Sequence, residues 1–303
     1  MRRFTNDEIR EFVSKSSFDQ ETLSRNDPSW PRISIVTPSY NQGQFLERTI
    51  LSVLNQNYPN LEYIIMDGGS TDGSVEIIRK YEMYLAYWVS EKDDGQSHAI
   101  KNGFAKSTGK ILAWLNSDDV YLPGTLLRVG RTFREKPNID VVYGNKYLTD
   151  EEDRIIGERR LTPCIPFVST PGFLYGGFGV YQPASFWATD LYDRVGEIDP
   201  SFVHCMDNDL FARFALAHAR LKFVREYFTG FRIHRDSKTS TLRLIAKKER
   251  QVVRAKYCRH QSKLLIKSYV FFIRLIRILI HIAQGDAFYL YKRKFASNVA
   301  WVP

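Results

Sequence analysis

Between residues 33 and 115 one pattern repeats: a short apolar run, then a segment whose hydrophobic residues recur at helical spacing. Residues 33–37 precede "NQGQFLERTILSVLNQ" (41–56), in which Phe45, Ile50, Val53 and Leu54 fall at that spacing. "LEYIIMDGG" (61–69) precedes "TDGSVEIIRKYE" (71–82). A weaker strand, residues 87–90, precedes "GQSHAIKNGFAKSTG" (95–109), a helix expected to break at Gly103 and end at Gly109. Residues 110–115 form the fourth strand. This alternation predicts an α/β fold with a mostly parallel, doubly wound sheet flanked by helices.

The chain has 303 residues, enough for one large domain and an appendage. At 44% hydrophobic and 25% charged it has the composition of a globular protein, which excludes a disordered one. Cys164, Cys205 and Cys258 lie far apart with no C-x-x-C spacing, against a disulfide framework or zinc site and in keeping with a reducing cytosol. "MRRFTNDEIREFVSKSSFDQ" lacks the apolar core of a signal peptide, and no uncharged apolar run of about 20 residues predicts a membrane span. The net charge of +9 is uneven: residues 241–303 hold fourteen Lys and Arg against Glu249 and Asp286, leaving residues 1–240 slightly acidic. Such asymmetry points to a membrane-facing or nucleic-acid-facing appendage.

In open α/β sheets, ligands bind beyond the carboxyl ends of the strands. Three polar segments fall there: Thr37-Pro38-Ser39-Tyr40, Asp67-Gly68-Gly69 and Asn116-Ser117-Asp118-Asp119. The last closes "LAWLNSDDVYLPG" (112–124), which sets two adjacent carboxylates at the mouth of a buried strand. Asn, Ser and Asp are also turn formers, so a simple strand cap is the plainer reading of that stretch alone. Asp67 after the second strand fits a ribose contact, yet "TPSYNQGQ" is no G-x-G-x-x-G and no G-x-x-x-x-G-K-[ST] occurs. Both absences argue against a Rossmann dehydrogenase or a P-loop enzyme. Phosphates bound here need a metal, and the Asp pair offers hard oxygen ligands suited to Mg²⁺ or Mn²⁺.

"SIVTPSYNQGQFLERTILSVLNQNYPNLEYIIMDGGSTDGS", "SEKDDGQSHAIKNGF", "STGKILAWLNSDDVYLPG", "YQPASFWATDLYDRVGEIDPSFVHCMDNDLFARFA" and "GFRIHRDSKTS" follow in order. Together, over roughly residues 31–240, they resemble the family-two glycosyltransferases, inverting enzymes of the GT-A fold that take nucleotide-sugar donors. The resemblance implies a D-x-D-type motif at Asn116–Asp118, with Asn116 at the first acid. Asp118 is then the principal metal ligand, Asp119 a second ligand or sugar contact, and Ser117 part of the donor site. It implies that Asp67 contacts the nucleotide base, that Thr37, Pro38 and Tyr40 pack around that base, and that Asp94 reaches the donor. It makes Asp207 of "MDNDL" the general base and His234 a late metal or diphosphate ligand.

Each assignment has a plainer counterpart. Asp207 begins a helical pattern, where Asp is a favoured N-cap, and Asp209 competes for the role of base; motif register favours Asp207. Asp67 can be a turn residue and His234 a loop histidine. His204-Cys205 reads as packing, since no further Cys spacing supports a metal. "TPGFLYGGFGVYQPASFW" (170–187) suits either an acceptor-facing loop or core aromatics.

The expected organisation is a polar lead-in (1–30), a GT-A domain (31–240) and a basic amphipathic helical tail (241–303). The GT-A domain divides into a nucleotide-binding half (31–120) and an acceptor half (121–240). Within "LLIKSYVFFIRLIRILIHIAQ" (264–284), Lys267, Arg274, Arg277 and His281 lie close to one helical stripe. That suits a helix in the membrane interface; an amphipathic helix packed on the domain is the alternative. The expected enzyme is cytoplasmic, peripheral on the cytoplasmic membrane face, and uses a nucleotide-sugar donor, Mn²⁺ or Mg²⁺, and a saccharide or lipid-linked acceptor. A nucleotidyltransferase, or a nucleic-acid binder acting through the basic tail, are the competing readings. The acidic body and the lack of a nucleic-acid motif speak against nucleic acid as a partner.

Overall fold

The computed structural model describes residues 1–163, 174–175, 179–258 and 262–296. The lead-in is partly helical. A Thr5–Glu8 capping box starts α1 (Asn6–Ser14), which buries Ile9 and Val13. With Phe4 they pack against Val120, Leu122, Tyr147 and Tyr227. A short α2 (Gln20–Ser24) follows.

The alternating segment then forms as its pattern predicts. β1 (Ile33–Ser39), α3 (Gly43–Leu54), β2 (Leu61–Asp67), α4 (Ser74–Lys80), β3 (Tyr87–Ser90), α5 (Gln96–Lys106) and β4 (Ile111–Trp114) succeed one another. The four strands lie in the order β3-β2-β1-β4, all parallel. β1 is buried along its whole length because its two faces serve two cores. Val36 joins Ile64, Leu112 and Trp114 in one, and Ile35 joins Tyr63, Ile65 and Ala113 in the other.

One local expectation fails: α5 runs through Gly103 unbroken and ends at Lys106, before Gly109. A Cβ at Gly103 would lie 2.4 Å from Val36 Cγ1, so this glycine lets the helix lie directly on β1.

The second half is mixed. It contains β5 (Val120–Tyr121), α6 (Thr125–Glu135), β6 (Val141–Thr149), β7 (Ile155–Arg159), β8 (Ser185–Ala188), α7 (Thr189–Val195), α8 (Met206–Leu216) and β9 (Leu221–Arg232). β8 bridges β4 and β6 antiparallel to both, β6 runs parallel to β9, and β5 and β7 add antiparallel edges. All nine strands make one sheet, continuing β4-β8-β6-β9-β5.

The chain ends in α9 (Lys238–Thr241), α10 (Arg243–Cys258), α11 (Lys263–Ala283) and α12 (Ala287–Ala296). Val253, Cys258, Ile266 and Val270 from α10 and α11 enter the same core as Trp187, Leu210, Phe211 and Phe214. Among the described residues no helix is long and apolar enough to cross a membrane.

The expected stripe on α11 is corrected at one place. Lys267 and Arg274 are exposed, but His281 is buried, its Nδ1 3.3 Å from Asp286 Oδ2. The turn at Gly285 (φ +76°) brings Asp286 back against His281 and Arg160. Burying those four apolar side chains is worth roughly 1.5–3 kcal/mol each, together comparable to a whole domain's stability of about 5–15 kcal/mol. A chain ending at residue 242 should therefore lose its cooperative urea transition and near-UV dichroism. An unchanged transition would mean the tail stands apart from the body.

Candidate active site

Parallel register makes the strand ends flush. Ser39 pairs with Asp67 across β1 and β2, and Val36 pairs with Trp114 across β1 and β4. Beyond these ends opens a cleft of about 740 Å³, walled by Pro38, Tyr40, Gly68, Gly69, Asp93, Gln96, Asn116, Ser117, Asp118, Phe231 and Lys238 among others. Pro38, Tyr40, Asn116, Ser117 and Asp118 thus meet in one cavity.

Other sequence-derived residues lie behind its wall. Thr37 is buried with its hydroxyl 3.1 Å from that of Tyr63. Asp67 accepts four hydrogen bonds: from Gly69 N (3.2 Å), Ser70 N (2.8 Å), Ser70 Oγ (2.6 Å) and Ser90 Oγ (2.7 Å). Its carboxylate shapes the Gly68-Gly69 turn that forms the wall, with Gly69 at a φ of +81° that favours glycine. Asp94 is exposed and outside the wall; its neighbour Asp93 stands in it and accepts from Gly95 N at 2.8 Å.

The acidic turn is held from both sides. Thr49 Oγ1 donates to the carbonyls of Ser117 (2.8 Å) and Asp119 (2.7 Å). From β9, Arg232 N donates to Asp119 Oδ1 at 3.0 Å, while its buried guanidinium bonds the Asp118 carbonyl and the Asp153 carboxylate. Arg48 pairs with the other side of Asp153 at 2.6 Å. Asn116 receives Gln96 Nε2 at 2.8 Å and turns its own amide toward Asp119 Oδ2 at 3.5 Å. An Asp at position 116 would face Asp119 with like charge; Asn replaces that repulsion with a donor.

The two adjacent acids therefore differ. Asp119 is buried, and desolvation together with the Asp118 charge holds its carboxyl well above the ordinary range. The Asp118 side chain is 21% exposed, faces the cleft, and has Oδ2 3.0 Å from His234 Nε2. His234 lies against the ring of Phe45. Among the described residues no cluster of three or more His, Cys, Asp or Glu could hold a metal. Asp118 and His234 are two potential metal-ligating side chains that meet beside the cleft.

Asp207 sits in the first turn of α8, two residues beyond the N-cap, which is Cys205 and supplies no side-chain cap. Asp207 Oδ1 accepts from Asn208 N (2.7 Å) and Nδ2 (2.8 Å), and burial raises its pKa. Asp209 is fully committed elsewhere: to Arg213 Nε (3.0 Å), Lys256 Nζ (2.9 Å) and Tyr257 Oη (2.7 Å). Just before the helix, the backbone N–H groups of Val203, His204 and Cys205 all donate to the Glu249 carboxylate at 2.8–2.9 Å. Cys205 is buried packing, its thiol pushed up to about 12 by desolvation. Of the Gly- and aromatic-rich stretch 170–187, residues 170–173 and 176–178 lie outside the described residues, while Phe186 and Trp187 on β8 are core aromatics.

Residues 34–187, half of the chain, match the profile "Glycosyl transferase family 2". The chain belongs to this family. The uncharacterized glycosyltransferase Rv1514c of Mycobacterium tuberculosis is 33% identical over 190 residues, covering 62% of this chain and 70% of that one. The mannosyltransferase PcManGT of Pyrobaculum calidifontis, solved with GDP-Man and Mn²⁺, has a TM-score of 0.58 at 16% identity, over 93% of this chain and 82% of that one. S. aureus TarS 1-349, solved with UDP-GlcNAc, has a TM-score of 0.56 at 16% identity, over 83% and 73%. A longer TarS chain is matched over 42% of its length. These structures share the GT-A fold with this family 2 chain.

Four residues in or around the cleft escaped sequence reasoning. Arg232 and Asp153 are 79 positions apart, so no local pattern joins them. Lys238 lines the cleft, its pKa lowered by burial. Lys146 lies within the fields of Asp119 and Asp207, and burial lowers it to about 8. The signal available for Lys146 was a lone Lys inside the otherwise uncharged run "VVYGNKYLT".

Proposed function

We propose that this protein transfers a sugar, with inversion, from a nucleotide-sugar donor to a hydroxyl of a saccharide or lipid-linked acceptor. The observation that carries this reading is the division of labour in the first turn of α8. Asp209 holds the structure together, and Asp207 keeps a carboxylate clear of salt bridges among the described residues.

In the proposed step the acceptor oxygen bonds the anomeric carbon as the bond to the diphosphate breaks, and Asp207 takes the hydroxyl proton. A raised pKa makes Asp207 a better base once it is deprotonated. Residues 31–120 hold the donor: Tyr40, 63% exposed at the cleft mouth, and Pro38 flank the base, while Thr37 and Asp67 set their loops. Asn116, Ser117 and Asp118 face the diphosphate, and Lys238 offers it positive charge. A divalent cation held by Asp118 and His234 would supply Lewis-acid stabilisation of the leaving diphosphate. The Mn²⁺ in PcManGT supports that reading. The buried Asp119, held by the Arg232 N–H, is then a scaffold for the turn more than a ligand. Residues 121–240 carry the acceptor half.

The tail supports peripheral contact with the cytoplasmic membrane face. Leu265 and Phe271 are each 70% exposed and Phe272 is 61% exposed, beside the exposed Lys267 and Arg274. Leu275, Ile278 and Leu279 extend the same apolar surface.

Nucleoside-diphosphate affinity, measured by calorimetry, should fall at least tenfold in Asp118→Asn and equally in wild type with EDTA, about 1.4 kcal/mol. Equal affinity with Mn²⁺, with EDTA and in the variant would remove the metal bridge.

Asp207→Asn should lower kcat by about 10²–10⁴-fold with donor binding and melting temperature nearly unchanged. The base must be deprotonated, so wild-type activity should be lost as pH falls through the raised pKa, above the ordinary Asp value of 3.8. An unshifted acid limb, or a fully active variant, would give the role to another group.

In flotation assays, vesicles containing phosphatidylglycerol should retain the protein at low salt and release it at high salt, each basic contact being worth about 1 kcal/mol. Phe271→Glu with Phe272→Glu should abolish retention without unfolding, since both side chains are exposed. Equal binding to neutral vesicles would end the electrostatic half of this reading.

A further inference from the structure

Two cations stand directly opposite each other beside the reaction centre. Lys146 on β6 and Arg159 on β7 are register partners of an antiparallel pair, so their side chains share a face. Like charges placed that way repel, and folded proteins usually separate or neutralise them. Here neither makes a salt bridge among the described residues. Arg159 Nη1 donates to the backbone carbonyl of Glu158 at 3.3 Å, and the Lys146 ammonium lies over the rings of Phe231 (3.7 Å) and Tyr181 (4.6 Å).

Two carboxylates that pair with the neighbouring Arg160 are already taken. Glu158 receives Arg160 at 2.8 Å and the hydroxyl of Tyr227, while Asp286 receives Arg160 at 2.6 Å and Arg225 at 3.0 Å. β7 thus carries one fully satisfied arginine, Arg160, next to one left for something else. Phe231, beneath Lys146, also walls the cleft that contains Asp118. Lys146 itself is outside that wall and lies within the fields of both Asp119 and Asp207. The donor diphosphate has Lys92 and Lys238 within its own cavity. Lys146 and Arg159 both lie outside that cavity's wall.

We propose that Lys146 and Arg159 form an anion subsite for the acceptor, so that this enzyme selects a saccharide bearing a phosphate or a carboxylate. The charged group would lie between the two cations, relieving their repulsion. The sugar ring would lie on Phe231 and Tyr181, whose faces suit the apolar side of a saccharide. The assignment rests on the reading of Asp207 as the base, because that places the acceptor hydroxyl near Lys146.

The test uses the full chain with Mn²⁺ and whichever of UDP or GDP raises its melting temperature. Binding of glucose 1-phosphate, methyl glucuronide and neutral methyl glucoside is then measured by saturation-transfer NMR. At least one anionic sugar should bind about tenfold or more tighter than methyl glucoside, the scale of one or two charge-assisted hydrogen bonds. Whichever of the two is preferred identifies the phosphate or the carboxylate as the group recognised. Lys146→Met and Arg159→Met should each reduce that preference to under about threefold, with nucleotide affinity unchanged, and Lys146→Arg should restore it. Equal binding of charged and neutral sugars, or no binding of either anion, overturns the proposal while leaving the donor reading intact. Variants that lose nucleotide affinity but keep the anion preference would move the pair to the donor site. Failure of the wild type to bind any nucleotide would instead strike at the transferase reading itself.

Discussion

The buried guanidinium of Arg232 is the constraint around which the site is arranged. A fully buried charge is costly unless it is paired and hydrogen-bonded. Arg232 meets that condition through Asp153, whose other oxygen is taken by Arg48, and through the carbonyl of Asp118. Its backbone N–H serves Asp119 at the same time. One residue at the end of β9 therefore fixes the turn that follows β4, and couples the mixed half of the sheet to the parallel half. The cleft exists in its observed shape only when both halves are folded.

A second coupling runs through α10. The helix gives Glu249 to three backbone donors ahead of α8 and, a few residues on, gives Lys256 and Tyr257 to Asp209. Both ends of that first turn are held by a segment that composition alone assigns to a basic appendage. The charge asymmetry of the chain accordingly has two physical meanings. Lys256 neutralises a buried acid of the body, whereas Lys267 and Arg274 remain in solvent beside an apolar surface.

Desolvation pulls the central titratable groups toward neutrality. It raises Asp119 and Asp207 and lowers Lys146 and Lys238. Groups poised this way suit a reaction in which charge builds on a leaving group and a proton is taken up, because little solvent must reorganise around them. Asp118 differs from Asp119 in one respect: it remains open to the cleft, where a ligand can reach it.

The sequence by itself determined the parallel half of the sheet, because buried strands and amphipathic helices have different hydrophobic periods and alternate cleanly from residue 33 to 115. It also determined that Pro38, Tyr40 and the Asn116–Asp118 turn share a rim, since strand order and direction follow from that alternation. Tertiary structure decided the rest. That Gly103 continues a helix depends on how closely β1 approaches, and that His281 is buried depends on a turn folding Asp286 back upon it. Which carboxylate of "MDNDL" stays clear of salt bridges depended on α10 bringing Lys256 and Tyr257, 47 and 48 residues downstream, to occupy Asp209. Periodicity reports which face of an element is buried, but only packing reports which polar groups meet there. Partners such as Arg232 and Asp153, or Lys146 and Arg159, therefore carry no mark in the chain.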